Sequence, residues 1–205
     1  MNYYIADTHF GHSAILRFEH RPFSTIEEME EVMVLNWNAT VRADDTIHIL
    51  GDFCWGKASD WLRILRRLNG HKVLIKGNHD LKEYPSELRK NFADIKPYKE
   101  ILDNGYGNDG YKVILSHYPM PFYKRAHNEK YVMLCGHVHN TAENKLLEKW
   151  TAELRADTLG TGTAHTINCG QIYNVGCMMP WMHYTPRTLH EIMRGREAYL
   201  NTSLI

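Results

Sequence analysis

The chain has no apolar run approaching the roughly 20 residues that a membrane-spanning helix needs. It has no charge excess either. Lys and Arg number 24 against 24 Asp and Glu, so no basic stripe marks a surface for long nucleic acids. The four cysteines, Cys54, Cys135, Cys169 and Cys177, form no C-x-x-C pair. A chain of 205 residues buries a core without staples, so all four are expected as reduced, buried small hydrophobes in a cytoplasmic protein. No Ser or Cys nucleophile motif stands out, and there is no repeat, low-complexity tract or linker; residues 1–205 read as one domain. A secretory leader is not expected, because Tyr3–Ala6 already has the character of a core strand. What the chain has in plenty is histidine. There are 13, several beside Asp, Asn or Gly.

The stretch Val73-Leu74-Ile75-Lys76-Gly77-Asn78-His79-Asp80 is a short apolar run that stops at a glycine, the pattern of a buried strand ending in a turn. An amide, an imidazole and a carboxylate follow. The same design recurs. Tyr3–Ala6 leads into Asp7-Thr8-His9, where residues two apart in an extended segment face the same way. Thr46–Leu50 ends at Gly51-Asp52, Tyr111–Leu115 at Ser116-His117, and Tyr131–Cys135 at Gly136-His137-Val138-His139. In open α/β sheets ligands gather at the carboxyl ends of the strands.

Helical periodicity falls between these strands, as in βαβ units. Ser24-Thr25-Ile26-Glu27 has capping-box spacing and opens a helix through Trp37. Ser59 is expected to cap a helix carrying Trp61, Leu62, Leu65 and Leu68, and a short helix is expected over Ser86–Phe92. Tyr98–Leu102 and Tyr111–Leu115 form a hairpin-like pair around the turn at residues 103–110. Residues 144–155 are ambiguous, Thr163–Val175 reads as two short strands, and Thr188-x-x-Glu191 caps a last helix.

Asp7, His9, Asp52, Asn78, His79, His117, His137 and His139 therefore all follow strands. Carboxylates, imidazoles and one amide oxygen are the donor set of a borderline divalent metal such as manganese, iron or zinc. They are too many for one four-coordinate ion and suit two ions sharing a carboxylate. Two ions roughly 3.5–4 Å apart clamp a phosphate and activate a water near neutral pH, so no side-chain nucleophile is required.

The motifs D-x-H, G-D, G-N-H-D, S-H and G-H-x-H, in this order from Asp7 to His139, resemble the calcineurin-like metallophosphoesterase superfamily. Asn174-Val175-Gly176 through Pro186 is also similar to its small bacterial and phage members. The resemblance implies an α/β protein, a four-layer α-β-β-α sandwich with the metal site at the C-terminal ends of the strands. It implies Asp7, His9 and His139 on one metal, Asn78, His117 and His137 on the other, and Asp52 bridging both through its two oxygens. A metal-bridging hydroxide would be the nucleophile and His79 the catalytic acid or transition-state stabiliser. Many relatives carry an acid three residues after the G-D aspartate, where this chain has Trp55; Asp80 or a backbone carbonyl is then the candidate to orient His79.

Arg17, Arg21 and His12 lie after the first strand and are candidates to touch substrate, the arginines through bidentate phosphate contacts. His48 is expected as a core histidine with a partner. His20, His71, His127, His165, His183 and His190 show no partner pattern. The aromatic set Trp55, Tyr118, Phe122, Tyr123 and Trp181 suits packing, with Tyr118 close enough to His117 to wall a pocket. The expected substrate is a small phosphomonoester or phosphodiester, with no membrane partner. A nuclease of the same chemistry and a catalytically silent protein-binding scaffold are the alternatives. The substrate itself, the native metals and the oligomeric state are not legible.

Overall fold

The computed structural model describes residues 1–105, 110–155 and 171–202. The strand expected over residues 163–169, His165, Cys169 and the tip of the turn at 106–109 lie outside them. Two four-stranded sheets organise the chain. The first is all parallel: β1 (Asn2–Ile5), β2 (Thr46–Ile49), β3 (His71–Ile75) and β4 (Phe92–Lys96), in that order. The second runs β5 (Tyr98–Asp103), β6 (Tyr111–Ser116), β7 (Tyr131–Cys135) and β8 (Ile172–Asn174). Only β5 is antiparallel to its neighbour there, forming the expected hairpin with β6.

Helices α1 (Ala14–Phe18) and α2 (Ile26–Thr40) connect β1 to β2, and α3 (Ala58–Leu65) connects β2 to β3. Such crossovers bury a parallel sheet. Thr25 caps α2 by accepting from the Glu28 amide, and the returning carboxylate is that of Glu28 rather than Glu27. Asp60, not Ser59, closes the start of α3 by accepting from the Lys57 amide at 2.7 Å. α4 (Ser86–Arg89) is shorter than expected because Asn91 turns its amide back onto the Glu87 carbonyl at 2.9 Å, an alternative to further helix. Phe92, expected in that helix, opens β4 instead. The ambiguous segment is helical as α5 (Ala142–Arg155), and α6 (Leu189–Thr202) carries the reciprocal Thr188–Glu191 cap.

One face of β6 and β7, carrying Val113, Leu115, Val132 and Leu134, joins the same buried cluster as Ile5, Ile49 and Leu74 of the first sheet. Their other face, with Ile114 and Met133, packs against Leu147 and Trp150 of α5. The two sheets also join through main chain. Ala6 donates to the Val175 carbonyl at 2.8 Å, and Cys177 donates to that of Ala6 at 2.8 Å. Among the described residues no helix is long and apolar enough to cross a membrane.

His48 sits buried mid-strand, stacked on Tyr4 at 5.3 Å with Nε2 3.2 Å from Asn2 Oδ1. Burial, and then the nearby Lys99 charge, pull its pKa from the ordinary 6.5 to about 4, while Asp103 opposes them. The unfolded chain therefore binds an extra proton at this position between about pH 6.5 and 4, so folding stability contributed by the neutral ring is present above pH 6.5 and is lost as pH falls. His48→Phe should close its stability gap to the wild type by up to about 3 kcal/mol between pH 7 and 4.5. Urea unfolding of both proteins in chelator measures this, since shared titrations cancel; a gap independent of pH would refute the assignment.

Candidate metal centre

The strand-end residues converge through an unusual backbone. Asp7, His9, Asp52, His137 and His139 all have left-handed φ, at 54°, 50°, 51°, 71° and 46°. Asp and His tolerate this region better than most side chains, yet each such residue costs about 1–3 kcal/mol unless its surroundings hold it. Here the loops brace one another. Asp7 donates to the Gly51 carbonyl at 3.1 Å, His9 to that of Asp52 at 3.0 Å, and Phe10 to that of Phe53 at 3.0 Å. The turn lifts each side chain off its strand and into a common space.

Asp7, His9, Asp52 and His139 place one ligand atom each within 4.8 Å of one another, a group able to hold a metal ion. His9 Nε2 and His139 Nε2 are 3.4 Å apart, and His139 Nε2 lies 3.7 Å from Asp7 Oδ1. His139 Nδ1 faces the Glu19 carboxylate, which can only accept, so Nδ1 carries the proton and Nε2 offers a lone pair. Burial holds His9 down to about 2 and His139 to about 4, so both rings are neutral at neutral pH. Burial, and then the Asp52 charge, raise the Asp7 carboxyl well above its usual range. Neutral imidazoles aimed at two buried carboxylates are complementary to a cation.

A second set adjoins the first. His117 donates from Nδ1 to the Leu50 carbonyl at 2.8 Å, leaving Nε2 as an acceptor 2.9 Å from Asn78 Oδ1. His137 Nδ1 is also 2.9 Å from that oxygen. An imidazole lone pair, a second imidazole and an amide oxygen gathered this closely are a donor set that fits a metal. Asp52 Oδ2 joins the sets, 3.7 Å from His9 Nε2 and 3.6 Å from His117 Nε2. The other oxygen, Oδ1, accepts from the His79 amide at 2.9 Å. It is Oδ2 that faces both sets, while Oδ1 is turned to the His79 amide.

His79 is exposed at the rim, its ring 5.5 Å from Trp55 and 5.9 Å from His9. Asp80 does not orient it. The Asp80 carboxylate is buried and accepts from the amides of Asp52, Phe53 and Gly77, tying the β2 and β3 loops together. Trp55 stacks on His12 at 4.3 Å, and His12 is 5.5 Å from His9, so both stand beside the centre. Tyr118 is half-exposed, its ring 4.5 Å from that of His137. Phe122 and Trp55 are likewise exposed rather than packed.

The structure corrects the reading of Arg21. Its side chain is fully buried, donating from Nε to Glu19 at 2.6 Å and from the two terminal nitrogens to the carbonyls of Thr8 at 2.9 Å and Asp7 at 2.8 Å. Buried in this way, the guanidinium is out of reach of a substrate phosphate. Arg17 is exposed on α1 and lies over the Phe18 ring. Two residues at the centre escaped the sequence reading. Glu19 follows a helix rather than a strand, so the strand-end pattern does not reach it. Asn174 donates to the His139 carbonyl at 2.8 Å; the similarity of its segment to small family members was the only signal.

Gly77 leaves the space that Asp52 fills. A Cβ there would stand 2.3 Å from Asp52 Oδ1 and 2.5 Å from its amide nitrogen. Gly77→Ala should displace the shared carboxylate and lower metal retention by both sets together, where a lesion confined to one set would affect one. Elemental analysis after gel filtration reads this, and full retention would show that Asp52 is not held by this contact.

Comparison with known proteins adds to the geometry. The chain is 45% identical over 80 residues to an uncharacterized protein of Methanocaldococcus jannaschii, covering 38% of this chain and 46% of that one. It is 27% identical over 133 residues to the Gene 66 protein of Mycobacterium phage L5, covering 57% of this chain and 62% of that one. Both curated relatives are matched over less than two thirds of their own length. Among solved structures, a protein of unknown function from Aquifex aeolicus superposes with a TM-score of 0.63 at 27% identity, covering 95% of this chain and 98% of its own. Residues 3–160 match the calcineurin-like phosphoesterase family, and with its strand-end carboxylates and imidazoles gathered at one centre the chain belongs to that family.

Proposed function

We infer that the protein hydrolyses small phosphate esters, monoesters or diesters, with two divalent transition-metal ions of the manganese, iron or zinc type. The observation that carries this is the position of Asp52, whose Oδ2 faces His9 of one donor set and His117 of the other at 3.7 and 3.6 Å. Asp7, His9 and His139 would hold one ion and Asn78, His117 and His137 the second, with Asp52 shared. Bound there, the ions supply positive charge for a phosphate and lower the pKa of water.

The chain's own groups do the rest. The neutral Asn78 oxygen limits the negative charge gathered at the centre. His79, its main chain fixed by the Asp52 contact, presents an imidazole nitrogen able to protonate the leaving oxygen. Trp55 stands next to His79 and Tyr118 next to His137, where they would shield a bound ester from bulk water. Arg17, exposed on α1, offers a phosphate contact at the margin, with His12 beside the first set.

His79→Ala should keep both ions and lower turnover by roughly 10²–10⁴-fold, the usual worth of a positioned acid–base group. Metal analysis beside steady-state rates decides this: loss of metal would make His79 a ligand, and an unchanged rate would remove it from the chemistry. The balanced charge of the chain provides few cations to line a polyanion. Specificity constants for p-nitrophenyl phosphate esters and nucleotides should therefore exceed those for single-stranded DNA or RNA at physiological salt. The reverse order would make the protein a nuclease.

A further inference from the structure

Glu19 and Arg21 form a buried assembly that no phosphate-ester chemistry requires. Arg21 gives its guanidinium to three oxygen partners, the Glu19 carboxylate and the carbonyls of Asp7 and Thr8, with a longer contact to Met29 Sδ at 3.4 Å. Those carbonyls flank the left-handed residues Asp7 and His9, so Arg21 fastens the strained turn from behind. Glu19 uses one carboxylate oxygen for Arg21 and turns the other to His139 Nδ1. A cation buried this completely is costly unless its partners are all in place, and here each oxygen partner leads to a residue of the first donor set. In the other set His117 has its own support, the Leu50 carbonyl, while the His137 amide rests on the Asp7 carboxylate at 3.1 Å.

We propose that Glu19 is a positioning residue for the first metal site, fixing the tautomer and orientation of His139, and that Arg21 locks Glu19 to the Asp7–His9 turn. This rests on the two-metal reading above. A carboxylate behind a ligand imidazole raises its basicity and holds its ring, and loss of such partners typically lowers metal affinity about 10–100-fold. Because Glu19 touches a ligand imidazole of the first set alone, its loss should weaken that site far more than the other.

The test uses the full chain, stripped of metal and titrated with Mn2+ by calorimetry, with elemental analysis of the gel-filtered product. In Glu19→Gln, which keeps the shape of the side chain, one binding step should weaken about 10–100-fold while the other stays within about threefold. His139→Gln should weaken the same step, and the double variant should lose little more, since the two residues act as one unit. Arg21→Lys, which keeps the buried charge but cannot reach all three partners, should weaken that step as well. Unfolding midpoints of the metal-free proteins control for folding. An unchanged isotherm in Glu19→Gln, equal weakening of both steps, or additive losses in the double variant would overturn the proposal. Should the wild type bind fewer than two ions, the two-metal reading fails, and the proposal is then judged at the site that contains His139.

Discussion

The Asp52 carboxylate needs a space that almost any other group would close, and much of the local chain serves that need. Gly51 turns with φ at 83°, and a side chain on it would strike the His117 ring at 2.4 Å. Gly77 passes close enough that a single added carbon would strike Asp52 itself. Asp80 gathers three amides beneath the carboxylate, and the His79 amide takes one of its oxygens. The free oxygen is left with one direction to face, between the two imidazole sets. A buried carboxylate with so little freedom is poorly solvated by protein alone, which is the electrostatic reason for a cation beside it.

The same constraint explains the left-handed backbone at the five residues named above. A ligand that continued its strand would point along the sheet, and a regular turn would carry it away from its partners. The left-handed step swings it across the strand ends. Asp and His accept that step with less strain than branched or bulky residues, so the residue types serve the backbone as well as the chemistry.

The convergence of ligands was legible in the sequence because it obeys a local rule: a buried strand ends, and a donor follows. Asp7, Asp52, Asn78, His117 and His139 all announce themselves this way, and the family match over residues 3–160 agrees. Glu19 and Arg21 were not legible in the same way. Neither follows a strand, and an arginine in the segment between the first strand and the first long helix has two readings that only burial separates. β4 was missed because residues 88–92 carry apolar side chains at helical spacing, and the side-chain amide of Asn91 decides where that helix ends. The shared oxygen of Asp52 depends on an amide from His79 across 27 residues, which no local pattern records.

The centre draws its groups from both sheets. Asp7, His9, Asp52 and Asn78 follow strands of the first, whereas His117, His137 and His139 follow strands of the second. Residues 7 and 139 are 132 positions apart in the sequence and meet across the two sheets. Closing so long a loop is an entropic cost met late, once non-local contacts are available to offset it. An ion held across this seam would cross-link the two sheets in the folded chain alone. Its binding free energy would then add to folding free energy, so that the supply of metal would bear on stability as well as on chemistry.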